Sequence, residues 1–164
     1  MSVPGVRLSP YIRQGDEHQR LDWLGSMELA VILDAAATGG QLTVVEARAK
    51  RGDASPVHVH SRDDEAFLLI DGAMTVWAGD RRTQLLPGGI GFLPRELPHA
   101  FRFDTDSRAL ILSTPGGQEN FFRTAGWDLS RPAPDGWEIS LDVLRQAAAH
   151  NGVAIIGPPH GLDD

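Results

Sequence analysis

Short apolar or alternating runs, separated by Gly, Pro and Asp, are the feature that most constrains the fold of this chain. They occupy most of the sequence between residues 28 and 113. Runs of this length bounded by turn residues are typical of β-strands, and several at regular spacing predict a sandwich or a barrel. The candidate strands are residues 28–34, 41–49, 57–60, 66–70, 73–77, 83–86, 90–93, 99–103 and 109–113. We therefore expect an all-β core.

One of the intervening turns has a clear conformational preference. Asp71-Gly72 separates the candidate strands 66–70 and 73–77. The Asp-Gly pair tolerates the positive φ angles of a two-residue turn, so we expect these two strands to form a tight hairpin.

The ends of the chain differ in character from its middle. Residues 1–27 are polar and mixed, and we interpret them as an N-terminal arm. The barrel is expected at residues 28–115, and residues 116–164 are expected to form a helical tail packed on the same domain.

Two short helices are predicted within this tail. Residues 118–125 predict a helix that ends at Gly126. Ser140 is the expected N-cap of a second helix, which ends at Asn151-Gly152.

Composition excludes several classes of function. The formal net charge is -7 and there is no run of Lys or Arg, so a nucleic-acid partner is not expected. The apolar stretches are too short to span a membrane, and residues 1–10 lack the apolar core of a secretion signal. We therefore expect a cytoplasmic protein without a membrane partner. Because the chain has no cysteine, any metal must be bound by His and carboxylate ligands.

Four residues of the strand-rich region are candidate metal ligands. His58 and His60 are two residues apart, so their side chains leave the same face of a strand. Glu65 follows a polar turn, Asp63-Asp64 included, which we interpret as solvated, and His99 opens a later strand. Three imidazoles and one carboxylate suit one divalent transition metal ion with open coordination positions. Iron, manganese, nickel, cobalt, copper and zinc all accept such ligands, so the metal is left open.

The spacing of these ligands resembles the first sequence motif of the cupin superfamily. Gly52, His58, His60, Glu65 and Gly72 follow one another at the intervals of that motif. In this family the two histidines and the glutamate bind a metal ion, and the resemblance implies the same for this chain.

The second cupin motif is partly present. Gly88, Pro94 and His99 keep its spacing. Glu96 stands where a glycine is usual, and Phe103 stands where an asparagine is usual. Neither position is a ligand in the family, so the departures concern the shape of the loop and the access of substrate.

Two longer segments are similar to single-domain cupins of the quercetin 2,3-dioxygenase-like group. They are PGGIGFLPRELPHAFRF and TPGGQENFFRTAG. The resemblance implies a double-stranded β-helix, also called a jelly-roll barrel, and often a homodimer. It also implies a metal-dependent dioxygenase acting on a small aromatic or enol-bearing molecule, in which Glu65 is both a ligand and a catalytic base.

Strand alternation predicts which side chains surround the metal. Residues two apart share a face of a strand, so those in phase with Glu65 and His99 point inward. The predicted substrate-pocket residues are Phe67, Leu69, Met74, Val76, Phe101 and Phe103. Alternatively, these side chains simply fill a small barrel. Leu68 and Ile70 point outward and are apolar, which indicates a cover formed by the arm, by the tail or by a second subunit.

Three functions remain open at this point. The first is the dioxygenase implied by the resemblance. The second is a non-redox metal enzyme, an isomerase, cyclase or lyase, because the same ligands stabilise an enolate. The third is a protein that binds a small molecule without turning it over. We expect the remaining histidines, His18, His150 and His160, to take no part in this chemistry.

Overall fold

Two antiparallel β-sheets enclose one hydrophobic core. The structure, a computed structural model, describes residues 8–164, so the prediction for residues 1–7 of the N-terminal arm lies outside the described residues. The regular secondary structure is mostly strand with a few short helices, and the predicted all-β jelly-roll architecture is confirmed.

The larger sheet has seven strands and the smaller has five. The strands are β1 (Gln19–Asp22), β2 (Glu28–Leu33), β3 (Thr43–Ala49), β4 (Pro56–His60), β5 (Asp64–Asp71), β6 (Met74–Ala78), β7 (Arg81–Leu85), β8 (Ile90–Leu93), β9 (His99–Phe103), β10 (Ser107–Thr114), β11 (Trp127–Asp128) and β12 (Val153–Pro159). The larger sheet has the order β11-β1-β2-β3-β10-β5-β8, and the smaller has the order β12-β4-β9-β6-β7.

The helices are short and lie outside the sheets. They are α1 (Ala35–Thr38), α2 (Glu119–Ala125) and α3 (Leu141–His150), preceded in the chain by a 3-10 turn at Gly15–Glu17. Ser140 caps α3 as predicted, because its hydroxyl accepts the Val143 N–H at 3.2 Å. Of the helices that the structure describes, none has the length and apolar character needed to cross a membrane.

Strands also form where the sequence pattern indicated an arm and a helical tail. β1 joins the larger sheet with only Leu21 fully buried, so its sequence lacks the apolar alternation of a strand. β12 is an edge strand of the smaller sheet and contains Gly157 and two prolines. Within a strand, proline is tolerated mainly at such edges, and its presence argues against a strand when only the sequence is known.

The predicted hairpin at Asp71-Gly72 is wrong. β5 pairs with β10 and β8 in the larger sheet, whereas β6 pairs with β7 and β9 in the smaller one. The positive φ of Gly72, 88°, bends the chain from one sheet to the other, where the Asp106 carbonyl and Ser107 leave no room for a side chain.

Alternation of side chains along the strands builds the core. The residues predicted to point inward are all buried, and they are Glu65, Phe67, Leu69, Met74, Val76, Phe101 and Phe103. Leu68, on the opposite face of β5, is half-buried, and Ile70 is exposed. The inward and outward faces of β5 are therefore as the alternation predicted.

The loop at Glu96 keeps the conformation that a glycine would adopt. Within residues 8–164, Glu96 is the one residue other than glycine with a positive φ, 67°. Its backbone N–H donates to the His60 carbonyl at 2.8 Å, which holds the loop against β4. The departure from the family motif therefore leaves the loop backbone in the shape suited to glycine.

Replacing Glu96 with glycine should stabilise the protein. A left-handed conformation costs a residue with a Cβ about 1 kcal/mol, so Glu96→Gly should raise the free energy of unfolding by roughly 0.5–1 kcal/mol. Urea unfolding of the metal-free protein measures the change. Glu138→Gly, at an exposed position without a positive φ, is the matched control and should not stabilise. An equal gain in both variants would contradict the explanation.

Candidate metal centre

Strand register brings the predicted ligands together. β4 pairs with β9 at a single position, where His58 lies opposite His99. His60 shares the inward face of β4 with His58, and both are buried. Glu65 comes from β5 in the other sheet and is also buried. The centre is therefore assembled from both walls of the barrel.

The four side chains offer ligand atoms at separations suited to one metal ion. One ligand atom from each of the four residues lies within 4.8 Å of the other three. The Glu65 carboxylate Oε2 is 3.1 Å from His99 Nε2 and 3.8 Å from His60 Nε2. Ligands about 2.1 Å from a common ion lie roughly 3.0–3.4 Å apart when adjacent and at most about 4.2 Å apart when opposite. The Glu65–His99 distance lies in the first range, and the Glu65–His60 distance exceeds it but stays below the upper limit.

Each imidazole is oriented by a hydrogen bond at its outer nitrogen. Nδ1 of His58 donates to the Pro56 carbonyl at 2.7 Å, and Nδ1 of His99 donates to the Leu97 carbonyl at 2.9 Å. Because a carbonyl only accepts, the proton of each neutral ring lies on Nδ1 and the lone pair lies on Nε2. The lone pairs are thus directed at the centre.

The third imidazole is held by a carboxylate. Nδ1 of His60 lies 2.7 Å from Asp63 Oδ2, and Asp63 is buried. The interpretation of Asp63 as a solvated turn residue is therefore wrong. Only Asp64 faces outward, where it forms a salt bridge with Arg95 at 3.0 Å. The polar turn between β4 and β5 supplies an orienting group as well as a bend.

Electrostatics keep two of the ligands, Glu65 and His58, in the protonation states that bind metal. Burial lowers the pKa of His58 to about 4, and the nearby His99 adds to the effect. Burial alone would raise the pKa of Glu65, but the surrounding imidazoles, His60 foremost, hold it at about 2. Burial alone would lower the pKa of His60, whereas the facing Glu65 and the bonded Asp63 raise it. Glu65 is therefore an anion at neutral pH, and His58 is neutral.

A buried atom without a partner supports a metal at this position. Among the described residues, none forms a hydrogen bond with His60 Nε2, although the atom is fully buried. An unpaired buried nitrogen costs about 1–3 kcal/mol, and coordination of a metal removes that cost. Imidazole and carboxylate ligands suit a divalent transition metal, so the residues present fit such an ion.

Gln118 belongs to the centre, although the sequence did not single it out. Its side-chain amide donates to Glu65 Oε1 at 2.5 Å. It lies directly before α2, 53 positions after Glu65 in the chain. No spacing rule connects the two positions, so their contact emerges only from the fold.

Three of the four candidate ligands, His58, His60 and Glu65, open onto an apolar cavity of about 40 Å³. Its polar wall consists of His58, His60, Glu65, Gln118 and Ser55. Its apolar wall consists of Trp23, Leu24, Met27, Leu29, Pro56, Phe101, Ile111, Phe121, Phe122, Leu144, Val153 and Ile155. A cavity that holds one benzene ring measures about 150 Å³. An aromatic ligand therefore needs side chains to move aside.

Only one predicted substrate-pocket residue lines this cavity. Phe101 does so, whereas Phe67, Leu69, Met74, Val76 and Phe103 pack in the core away from it. Strand alternation correctly predicted that these side chains point inward, but it does not predict where along the barrel the cavity lies. The cavity lies at the end of the barrel nearer α2, α3 and β12. The apolar wall comes largely from segments that sequence analysis assigned to the arm and the tail.

The other histidines lie apart from the centre. His150 Nδ1 bonds to the Gln146 carbonyl at the end of α3, and His160 stacks on Trp77 with 4.0 Å between ring centroids. His18 lies beside the shallow surface depression formed with β1 and β11. None of them is among the grouped ligand atoms of the described residues.

Removal of the Asp63 carboxylate should weaken metal binding. Asp63→Ala frees the His60 ring, so zinc affinity should fall by roughly 10–100-fold. Competition with a chromophoric chelator measures this affinity. Asp64→Ala is the matched control, since its carboxylate bonds Arg95 at the surface instead of a ligand. Equal losses in the two variants would contradict a specific role for Asp63.

Comparison with known sequences agrees with this geometry. A family profile described as "Cupin domain" matches residues 45–115, which include all four candidate ligands. The chain is 31% identical over 118 residues to quercetin 2,3-dioxygenase of Bacillus subtilis (strain 168). That match covers 71% of this chain and 35% of the relative, so the chain spans about a third of the length of the curated relative it matches.

Comparison with solved structures concerns the fold. An RmlC-like cupin from Shewanella frigidimarina NCIMB 400 is similar with a TM-score of 0.59 at 18% identity, over 68% of this chain and 96% of that one. The polyketide cyclase RemF from Streptomyces resistomycificus is similar with a TM-score of 0.55 at 18% identity, over 65% and 80% of the two chains. The profile match over residues 45–115, the ligand spacing and the two-sheet barrel together assign a cupin domain to this chain.

Proposed function

We propose that this protein is a metal-dependent dioxygenase that acts on a small enol-bearing molecule. One observation carries the proposal: three inward-facing imidazoles and an ionised carboxylate converge beside a mainly apolar cavity. The sequence similarity to a quercetin 2,3-dioxygenase favours oxygen chemistry over the other reactions of such a centre.

The proposed reaction needs no component beyond the metal, the substrate and oxygen. A dioxygenase transfers both atoms of O2 to its substrate, so the four electrons that oxygen takes up come from the substrate itself. A divalent metal at the centre would supply a Lewis acid for the substrate oxygen. Iron, manganese, nickel, cobalt and copper remain candidates for it, and zinc is the candidate for non-redox chemistry.

Glu65 is the proposed base. Its Oε2 faces the imidazoles, while its Oε1 accepts the Gln118 amide. A carboxylate oxygen has two acceptor positions, so Oε1 has one left for a substrate proton even when Oε2 is a metal ligand. Removal of the enol proton leaves an electron-rich enolate, the form of the substrate that oxygen attacks.

The size of the cavity favours small substrates. About 40 Å³ accommodates little more than one water molecule, so any substrate displaces part of the apolar wall. Trp23 makes T-shaped contacts with Phe121 and Phe122 at centroid distances of 5.2 and 5.0 Å. This aromatic group lies at the cavity and is the part that a flavonol would have to move.

The test combines metal content with oxygen uptake. Protein purified without a chelator or a nickel column should carry about one redox-active ion per chain. A His58→Ala/His99→Ala variant should carry none. The wild type should consume oxygen with a 1,3-diketone or a flavonol, and Glu65→Gln should lose 100-fold or more of this rate, in line with general-base catalysis.

Controls separate the competing functions. Glu138→Gln, at an exposed position, should keep the full rate of oxygen uptake. Full activity of Glu65→Gln would rule out the base role. Turnover without oxygen, or with zinc bound, would instead identify an isomerase, cyclase or lyase. Binding without any turnover would identify a ligand-binding protein.

We also propose that the chain forms a homodimer in the cytoplasm. β8 lies at one edge of the larger sheet and β7 at one edge of the smaller sheet, and these two edge strands differ in charge. β7 carries Arg81 and Arg82, which protect an open edge, whereas β8 carries no charge and exposes Ile90 and Phe92 by 64% and 63%. A second copy of the chain is the proposed cover of this apolar edge.

A charge on β8 should break the dimer. Phe92→Asp places a carboxylate in the proposed interface, so the protein should sediment as a monomer while the wild type sediments as a dimer. Analytical ultracentrifugation measures the mass. Leu141→Asp, at an exposed position on α3, is the control and should remain dimeric. A monomeric wild type would refute the proposed interface.

A further inference from the structure

Gln118 presents a buried carbonyl oxygen that lacks a partner. The side chain is only 7% exposed and lines the cavity beside the ligands. Among the described residues, none donates a hydrogen bond to its Oε1. A buried acceptor left in this state costs about 1–3 kcal/mol, so its position calls for a donor from outside the chain.

The orientation of the amide follows from chemistry. Gln118 contacts Glu65 Oε1, and an ionised carboxylate can only accept a hydrogen bond. The amide nitrogen must therefore face Glu65. A rotated amide would set oxygen against oxygen, so the carbonyl is the group that is left free.

Neighbouring residues fix the segment that carries Gln118. Glu119, the next residue, is buried and accepts the Thr43 hydroxyl and the Ala35 N–H, the latter at 3.1 Å. The Gly117 N–H donates to the same Thr43 hydroxyl at 3.0 Å. The chain is therefore anchored on both sides of Gln118, and the bond from its amide nitrogen to Glu65 directs the side chain into the cavity wall.

We propose that Gln118 selects ligands by accepting a hydrogen bond from a hydroxyl group beside the oxygen that binds the metal. The preferred ligand class is thus a small anion or enolate with an adjacent hydroxyl, such as a 2-hydroxy acid or the enediolate of an α-hydroxy ketone. This selection deepens the proposed function and rests on a small molecule binding at the metal centre. It is separate from the positioning of Glu65, which uses the amide nitrogen.

The size of the effect follows from the unpaired group. A ligand that supplies the donor satisfies a buried acceptor, whereas a methyl ether buries it without a partner. The difference should amount to about tenfold or more in affinity. Gln118→Met keeps the length of the side chain and removes both the donor and the acceptor.

The test uses two small anions on the zinc-loaded full-length protein, in which no oxygen chemistry intervenes. Glycolate has the adjacent hydroxyl, and methoxyacetate has a methoxy group in its place, which cannot donate a hydrogen bond. Titration calorimetry should give a tenfold or greater preference for glycolate in the wild type. The preference should shrink at least fivefold in Gln118→Met and persist in Gln146→Met, an exposed position on α3. Zinc content and melting temperature are measured for every variant.

The comparison of variants identifies the cause of the preference. Chelation of zinc by glycolate would give a preference that Gln118→Met leaves unchanged, and that result would overturn the proposal. Equal affinities for the two anions, or no binding of either, would also overturn it. If Gln118→Met does not fold, Gln118→Asn withdraws the amide by one methylene and must lose the preference in the same way.

The proposed function and the Gln118 selection fail separately. Oxygen uptake without a Gln118-dependent preference for glycolate would support the dioxygenase proposal and contradict the proposed role of Gln118. A Gln118-dependent preference without oxygen uptake would support the inference and point to the non-redox enzyme or the ligand-binding protein.

Discussion

The pairing of His58 with His99 across β4 and β9 is the constraint on which the centre depends. That register places two imidazoles side by side, and the three residues after β4 carry the chain into the other sheet, where Glu65 completes the set. A slip of one residue in either strand would turn its imidazoles away from the cavity. The barrel fold thus brings ligands from strands that are distant in sequence to one point.

Burying the Glu65 carboxylate among imidazoles has a desolvation cost that surrounding hydrogen bonds must offset. An ionised carboxylate among buried imidazoles is tolerated only where its partners compensate for the loss of water. Asp63, Gln118 and two backbone carbonyls provide that compensation on the outer side of the ligands. The inner side keeps His60 Nε2 and Gln118 Oε1 unpaired among the described residues. Polar groups are thus hydrogen-bonded on the outer side of the ligands and unpaired on the side that faces the cavity. This difference is expected where a site is built to bind a ligand.

The ligands and most strands could be predicted because their signals are local. His58 and His60 show their common face through a spacing of two, and the turn residues mark the strand ends. Asp63 was misinterpreted because an aspartate in a polar turn gives no sign of the imidazole it meets. Gln118 was missed because its contact with Glu65 depends on how α2 packs. The Asp71-Gly72 prediction gave the right faces for β6 from the wrong pairing, since alternation constrains direction but does not choose the sheet.

The origin of the ligands in both sheets has a consequence for the evolution of the barrel. In the unfolded chain these residues are not gathered, so an ion held by all of them binds the native state and adds its binding free energy to folding. The ion would link the two β-sheets to each other. The number of destabilising substitutions that the apolar cavity wall tolerates would then depend on whether the metal ion is bound. Cavity shapes that accept new substrates would arise most readily in the metal-bound protein.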